Sequence, residues 1–162
     1  MKIRQSNVET LDEVFVDFWQ LYENRKHGSI FIIPTNGSVN AKGRAVMGRG
    51  LAYDASQRYD TLAAQLGSCI KNAGNRCFYF PLECFVTFPV KEQWFDTASL
   101  HLIGQSCQQT NELLRQHNDE IQKIFIPHVG CGNGRLQWRL VRPILERRCE
   151  GNYTIVSRKG DQ

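Results

Sequence analysis

The chain has 162 residues, a length that suits one domain with one hydrophobic core. Hydrophobic residues make up 41% and charged residues 22%, close to the averages of globular proteins, which excludes a disordered, collagen-like or coiled-coil chain. The formal net charge of +4 is scattered along the sequence, so it favours an anionic ligand without requiring nucleic acid.

The first ten residues, MKIRQSNVET, lack the apolar core of a secretory signal, and no apolar run reaches the roughly 18–20 residues of a membrane span. We therefore expect a cytoplasmic protein with no membrane partner. The six cysteines form no CxxC pair and no Cys/His cluster with zinc spacing. We expect no metal site and no cofactor, and most of the cysteines as small buried apolar groups.

In the first part of the chain, Thr10 and Glu13 have the spacing of a capping box, which predicts a helix beginning at Thr10. Apolar residues continue at helical spacing to Leu21, and the helix is predicted to end at residues 27–28. Residues 29–34 form an apolar, partly β-branched run, typical of a strand buried on both faces of a parallel sheet. A loop rich in glycine and asparagine follows at 35–47, and then a helix over 48–71.

Two further strands are predicted at 77–80 and 85–88, followed by a helix from 100 to about 118. The segment 121–127 repeats the earlier design, because an apolar strand closed by proline leads into a glycine-rich loop at 130–134. A helix from about 138 and a last strand at 153–157 complete the chain. Pro143 is expected within the first turn or so of its helix, since deeper in a helix proline removes a hydrogen bond and clashes.

This alternation of helices and strands predicts an α/β fold in a single domain spanning 1–162. Short right-handed crossovers turn it into a three-layer α/β/α sandwich with a mixed, mostly parallel sheet. Each glycine loop leaves the carboxyl end of a strand and enters a helix, the place where open α/β sheets bind ligands.

Glycines allow positive φ and close approach to a ligand, and a helix N-terminus adds free N–H groups with a partial positive charge. Neither loop matches the Walker A pattern or GxGxxG. One such loop alone is compatible with a simple tight turn. Two loops in the same context predict a site for a phosphate or diphosphate.

Four segments carry a family resemblance: IPTN at 33–36, VMGRGLA at 46–52, VTFPVKEQW at 86–94 and PHVGCGNGRLQW at 127–138. In order and spacing they resemble macro domains, specifically the branch with the terminal ADP-ribose glycohydrolases and the antitoxins that remove ADP-ribose from DNA. The resemblance covers roughly residues 30–157. It implies a macro-domain fold and an ADP-ribose ligand, free or carried on DNA or protein.

The resemblance also implies roles for individual residues. Asn36 would lie beside the distal ribose, and the turn at 48–50 beside that ribose and the diphosphate. The second loop would offer backbone amides, a simpler role for Cys131 than that of a nucleophile. The full set of predicted ligand-binding residues is Asn36, Gly37, Met47, Gly48, Arg49, Gly50, Gly130, Cys131, Gly132, Asn133, Gly134 and Arg135.

The chain departs from the DNA-directed glycohydrolases at their catalytic Lys and Asp. Gly134 stands at the position of the Asp, and an alignment without gaps puts Phe88 at the position of the Lys. Lys91 lies close by, and His128 precedes the second loop, so these two residues are the candidate catalytic groups.

An acidic residue that reads the adenine amino group in macro domains is missing from its usual place after the first strand. Asn7 and Asp12 are the candidate substitutes.

Three functions remain open. The first is a module that binds ADP-ribose, and the second is a hydrolase acting on ADP-ribosyl groups or a phosphatase acting on ADP-ribose 1″-phosphate. The third is nucleic-acid binding through the last helix. That helix contributes Arg139, Arg142, Arg147 and Arg148.

Overall fold

The computed structural model describes residues 11–117 and 120–158. In chain order its elements are β1 (Asp12–Phe15), α1 (Phe18–Glu23), β2 (Ser29–Asn36), α2 (Gly50–Arg58), α3 (Leu62–Ala73), β3 (Phe78–Phe80), β4 (Phe85–Lys91), α4 (Leu100–Gln116), β5 (Lys123–Pro127), α5 (Trp138–Arg148) and β6 (Tyr153–Ser157).

The strands of the described residues form one six-stranded sheet in the order β1-β6-β5-β2-β4-β3. Every neighbouring pair is parallel except β3 and β4, which are antiparallel. The predicted mixed, mostly parallel sheet is therefore confirmed. The strand order places β2 and β5, which lead into the two glycine loops, side by side at the centre.

The central strand β2 is buried on both faces, as predicted. Ile30 and Ile32 pack in the cluster formed with α4 and α5. Phe31 and Ile33 pack in the cluster formed with α1, α2 and α3. Because side chains alternate between the two faces of a strand, helices cover both sides of the sheet. This arrangement confirms the predicted three-layer sandwich.

The helix predicted from residue 10 to residue 27 is wrong in its first part. Residues Asp12–Phe15 form a strand that pairs in parallel with β6 at the edge of the sheet. The Val14, Phe15 and Val16 run favours an extended chain, and pairing with β6 overrides the helical spacing. The helix begins only at Phe18. The proposed capping residue Thr10 lies outside the described residues.

The helix predicted over 48–71 is interrupted between α2 and α3. Tyr59 is extended, with φ −133° and ψ 100°. Its ring packs at 5.6 Å from that of Phe85, and its hydroxyl hydrogen bonds to that of Tyr22. Because the tyrosine has to leave the helical path to reach the core, the helix stops and restarts.

The expectation for Pro143 is also wrong, because the residue lies five positions after Trp138, in the second turn of α5. It removes the hydrogen bond to the carbonyl of Arg139. Both Pro143 and Arg139 are exposed, so water can replace that bond.

The first glycine loop is held against α3. A Cβ added at Gly67 would lie 2.1 Å from the carbonyl oxygen of Gly43, so the helix and the loop touch through bare backbone. The N–H of Ala45 donates to the carbonyl of Ala63 at 2.8 Å. The helix thereby sets the path of the loop toward the cavity described below.

All six cysteines are free, and Cys77, Cys107 and Cys149 are fully buried, as expected of small apolar groups. The other three are partly exposed. Within 11–117 and 120–158, no helix combines the length and apolar character needed to cross a membrane.

Candidate ligand-binding site

A cavity of about 700 Å³ opens at the carboxyl ends of the parallel strands, a volume in the range of pockets for small-molecule ligands. Both glycine loops contribute to it, so two segments far apart in the sequence share one site. The predicted residues that line it are Asn36, Met47, Gly48, Arg49, Gly50, Lys91, His128, Gly130, Cys131, Gly132, Asn133 and Gly134.

Two predicted ligand-binding residues, Gly37 and Arg135, do not line the cavity. A Cβ on Gly37 would lie 2.7 Å from Asn75 Cγ and 2.8 Å from the carbonyl oxygen of Glu92. Close packing therefore explains that glycine. Arg135 adopts a left-handed backbone with φ 65°, and its N–H donates to the carbonyl of Gly132 at 3.1 Å.

The first loop is closed by the side chain of Asn36. Its Nδ2 donates to the carbonyl of Val46 at 3.0 Å, and its Oδ1 accepts from the N–H of Ser38 at 2.9 Å. Arg49 precedes α2 and makes no side-chain cap, so the first N–H groups of that helix remain available. Gly50 has φ +61°, a conformation that favours glycine.

The second loop is tightly packed at Gly134. A Cβ there would lie 2.4 Å from the carbonyl oxygen of Gly130 and 2.7 Å from Ala98 Cβ. Hydrogen bonds hold both backbones in place, from Leu136 N–H to the Gly130 carbonyl and from Ala98 N–H to the Gly134 carbonyl, each 2.9 Å. This backbone leaves no room for a carboxylate side chain at position 134.

The tip of this loop presents three successive N–H groups, those of Gly132, Asn133 and Gly134. Within the described residues none of the three donates a hydrogen bond, whereas the N–H of Cys131 donates to the carbonyl of His128 at 3.2 Å. The Cys131 thiol in turn lies 3.5 Å from the carbonyl oxygen of Val129. Successive backbone N–H groups in a loop form a concave site for anions.

Lys91 ends β4 opposite Asn36 and reaches the cavity. Its Nζ donates to the carbonyls of Trp94 and Asn133, both at 3.2 Å. Burial lowers the pKa of its amine, and the nearby guanidinium groups of Arg135 and Arg49 lower that pKa further.

Phe88 is fully buried in the core on the side of α4 and α5. Lys91, and not the residue at position 88, therefore supplies an amine to this site.

His128 directly follows β5, and its imidazole ring contacts Ser157 and Trp138. Its Nε2 lies 2.7 Å from Ser157 Oγ, and its ring stacks on Trp138 with centroids 3.8 Å apart and planes inclined by 5°. Because His128 precedes the second loop and Trp138 follows it, this stacking holds the two ends of the loop together. The imidazole lines the cavity in a fixed position.

Acidic and aromatic residues that the sequence analysis did not single out line one end of the cavity. Asp17 caps α1 by accepting from the N–H of Gln20 at 2.9 Å, and Trp19 Nε1 donates to Asp54 Oδ2 at 3.0 Å. Asp12, one of the two candidate substitutes, is exposed and does not line the cavity.

Asn7, the other candidate, lies outside the described residues. The signal for Asp17 was the VFVDFW run, in which an aspartate follows β-favouring residues and precedes a short helix.

Two exposed aromatic side chains stand at the rim, next to Lys91. Trp94 lines the cavity and is 54% exposed, and Phe95 is 68% exposed, with their rings 5.5 Å apart edge to face. The N–H of Trp94 donates to Ser38 Oγ at 3.0 Å, which fixes this loop against the first glycine loop. Large apolar groups held in solvent are typical of a recognition surface.

Across the described parts of the chain, no group of three His, Cys, Asp or Glu side chains is placed to hold a metal ion. The charged and titratable groups at the cavity include the amine of Lys91, the guanidinium groups of Arg49 and Arg158, the imidazole of His128 and the carboxylates of Asp17 and Asp54, beside the backbone amides of the loops. Lys91 and Arg49 adjoin the glycine loops, whereas Asp17 lies at the start of α1. Such a division suits a ligand with an anionic centre and a hydrogen-bond donor at one end.

No family model matches the sequence, and no curated protein sequence matches it. Solved structures do match. The macrodomain of Mycobacterium tuberculosis DarG aligns with a TM-score of 0.69 and 19% identity, over 91% of this chain and 98% of the other. The macrodomain of Thermus aquaticus DarG aligns with a TM-score of 0.66 and 21% identity, over 93% and 99%.

Thermosipho africanus DarTG, determined in complex with ADP-ribose, aligns with a TM-score of 0.71 and 20% identity. That alignment covers 91% of this chain and 42% of the DarTG chain. These three alignments each cover more than nine tenths of this chain. The chain has the macrodomain fold.

Proposed function

We propose that this protein binds ADP-ribose in the main cavity, with the diphosphate held by the second glycine loop. The observation that carries the proposal is the row of N–H groups at Gly132, Asn133 and Gly134, which make no hydrogen bond within the described residues. The first turn of α2 faces the same cavity from the first loop. The similar DarTG of Thermosipho africanus was determined with ADP-ribose, which supports this choice of ligand.

The adenine end lies, in this proposal, beside Asp17, whose carboxylate accepts from the exocyclic amino group. That carboxylate lines the cavity at the end opposite Lys91 and has a second oxygen beyond the one that caps α1. The distal ribose lies toward Lys91 and the rim. Asn36 shapes the first loop there, because both of its side-chain polar groups bind loop backbone.

Isothermal titration calorimetry with ADP-ribose tests the proposal, with ADP, AMP and inorganic diphosphate as competitors. We expect ADP-ribose to bind more tightly than each fragment, because base, diphosphate and distal ribose all contribute contacts. Absence of ADP-ribose binding contradicts the proposal. Inorganic diphosphate binding as tightly as ADP-ribose contradicts the nucleotide part of it.

A pair of glycine variants localises binding to the cavity. Gly50 and Gly74 both have positive φ, +61° and +88°, but only Gly50 lines the cavity. Alanine at either position costs about 1–3 kcal/mol of backbone strain, and Gly74, with ψ 179°, lies in a region that is essentially restricted to glycine. We expect Gly50→Ala to weaken ADP-ribose binding and Gly74→Ala to leave it unchanged. Equal effects of the two variants contradict the assignment.

A second candidate function is hydrolysis of the bond at the distal ribose, and the position of Lys91 favours it. Its amine lies in the cavity with a lowered pKa, so more of it is unprotonated near neutral pH than for an ordinary lysine. Candidate substrates are ADP-ribosyl groups on DNA or protein, and ADP-ribose 1″-phosphate. His128 is the other candidate, although its ring is engaged by Ser157 and Trp138.

Chromatography of ADP-ribosylated DNA, ADP-ribosylated protein and ADP-ribose 1″-phosphate after incubation distinguishes an enzyme from a binding module. We expect Lys91→Met to abolish turnover, and Lys71→Met, which removes an amine outside the cavity, to retain it. Turnover that survives both Lys91→Ala and His128→Ala contradicts catalysis by these residues. Intact substrates with tight ADP-ribose binding support the binding module.

We further propose that the protein acts in the cytoplasm as one domain. All six of its cysteines are free thiols, a state that the reducing cytoplasm maintains.

A further inference from the structure

A second, smaller cavity of about 200 Å³ lies between α4 and α5, on the outer side of the helix layer. It shares no lining residue with the main cavity. Apolar side chains and basic side chains line it, and no acidic residue does. The lining residues are Leu100, His101, Gly104, Ile144, Arg147 and Arg148.

Within the described residues, no acidic side chain pairs with the arginines of this cavity. Within the described chain, Arg147 and Arg148 form no side-chain salt bridge or hydrogen bond, although other arginines nearby do. Arg142 pairs with Glu146 at 2.8 Å on the same helix. Arg115 pairs with Glu150 at 2.7 Å, which engages the acidic residue that follows α5.

Other arginines of α5 are engaged as well. Arg142 also lies 3.6 Å from Glu13, and Arg139 Nε donates to Gln137 Oε1 at 2.6 Å. The unpaired guanidinium groups of this helix within the described residues are therefore concentrated at its C-terminal end, beside the small cavity.

The backbone that carries these groups is held in place. Asn111 Nδ2 donates to the carbonyl of Arg148 at 2.6 Å, and Asn111 Oδ1 accepts from the N–H of Glu150 at 3.0 Å. Gly104 is buried in α4, and a Cβ there would lie 3.4 Å from Arg148 Nε and 3.5 Å from its Cζ. The guanidinium of Arg148 thus lies against bare helix backbone.

A glycine inside a helix costs about 0.5–1 kcal/mol relative to alanine. At position 104 the missing methyl group leaves the guanidinium of Arg148 in direct contact with α4. Arg147, Arg148 and His101 all line the groove that remains between the two helices.

We propose that this cavity is an oxyanion site that holds one phosphate group between Arg147, Arg148 and His101. Guanidinium groups offer paired N–H donors that match the spacing of phosphate oxygens, and the imidazole adds a further donor. The volume is below that of pockets for whole nucleotides, about 300–1,000 Å³, and suits a single phosphate group. The phosphate belongs either to free phosphate and terminal monoesters or to the diester backbone of a nucleic acid.

Amide NMR tests the site with inorganic phosphate as the probe, at constant ionic strength set with sodium chloride. We expect saturable shifts of the His101 and Gly104 amide signals. Arg147→Gln/Arg148→Gln should raise the dissociation constant about tenfold or more, because two charge-assisted contacts are lost. Arg139→Gln/Lys26→Gln removes the same charge at positions that do not line the cavity, and we expect less than about a twofold change, since only the long-range part of the attraction is lost.

Phosphate shifts that do not saturate, or equal losses in the two double variants, overturn the proposal. Short single-stranded oligonucleotides with and without a 5′-phosphate then distinguish the two sources. Shifts only with the 5′-phosphate identify terminal monoesters, and equal shifts with both identify the backbone. ADP-ribose binding in the main cavity is followed by the amide signal of Gly132. A loss of binding at either cavity is therefore detected independently of the other.

Discussion

Adding one methyl group at Gly134 tests the geometry of the second loop. In Gly134→Ala the new Cβ would lie 2.4 Å from the carbonyl oxygen of Gly130 and 2.7 Å from Ala98 Cβ. To relieve these clashes, the backbone at residue 134 has to move away from Gly130 and Ala98. That movement weakens the two 2.9 Å hydrogen bonds donated by the N–H groups of Leu136 and Ala98. Overpacking of this kind costs about 1–3 kcal/mol, and the loss of hydrogen bonds places this variant toward the upper end.

Urea denaturation measures the free energy of unfolding, and a loss of about 2 kcal/mol corresponds to a melting temperature lower by about 4–8 °C. Gly132→Ala is the matched control, because it lies in the same loop and its added Cβ would have no atom within 4 Å. We expect the control to equal the wild type or to exceed it by about 0.4–1 kcal/mol.

A Gly134→Ala protein within about 0.5 kcal/mol of the wild type would refute the packing argument, since surface changes of no consequence fall in that range. So would equal losses in the two variants. The same geometry predicts that Gly134→Asp, which introduces the carboxylate of the DNA-directed glycohydrolases, destabilises the loop and creates no turnover in the protein.

Three further predictions concern the ligand. Asp17→Asn keeps a capping residue, so we expect stability within about 0.5 kcal/mol of the wild type but an about tenfold weaker affinity for ADP-ribose by calorimetry. The analogue with hypoxanthine in place of adenine lacks the amino group, so Asp17→Asn should reduce its affinity less than that of ADP-ribose. Equal reductions for the two ligands contradict the prediction. The lowered pKa of Lys91 means that its positive charge, and its attraction for the diphosphate, is lost as pH rises through a value below that of an ordinary lysine. Affinity for ADP-ribose measured by calorimetry should therefore fall with rising pH in the wild type and stay level in Lys91→Arg, and parallel profiles would argue against this role. Trp94→Ala should weaken binding of ADP-ribosylated single-stranded DNA about tenfold or more in fluorescence anisotropy, because a base can stack on the exposed indole. Free ADP-ribose should bind as before, Leu82→Ala serves as an exposed apolar control, and a loss for both ligands would show that Trp94 acts on the cavity itself.

Lys91 is a candidate catalytic residue and also a structural contact between two loops. In the structure its amine donates to the carbonyls of Trp94 and Asn133, so it ties the rim to the second loop. Catalysis at the distal ribose would require the amine to exchange these carbonyls for the substrate. Comparison of Lys91→Arg with Lys91→Met separates the two roles, because arginine retains donors for the carbonyls and has no accessible unprotonated form.

Local sequence was sufficient to predict those elements whose tertiary contacts favour the same secondary structure as their residue pattern. The run at 29–34 is apolar throughout, and both faces of β2 are buried. The two glycine loops were predicted to share one site because strand, loop and helix follow one another in each, and parallel strands end at the same edge of a sheet. The residues of the second motif, up to Trp138, were identified through the resemblance to macro domains.

Tertiary structure decided what depends on distant partners. Asp12–Phe15 became a strand because β6, far along the chain, offers an edge to pair with, and Asp17 came to the cavity as a consequence. Lys91 and not Phe88 faces the site because register and burial of β4 select which side chains point to the core.

The sequence alone determined the fold class, the two loops and the loop residues that line the cavity, since periodicity and glycine placement are local properties. It did not determine that Gly37 and Gly134 are required by close contacts, or that Trp94 and Asp17 line the same cavity. Those facts depend on distances between segments that only the folded chain brings together.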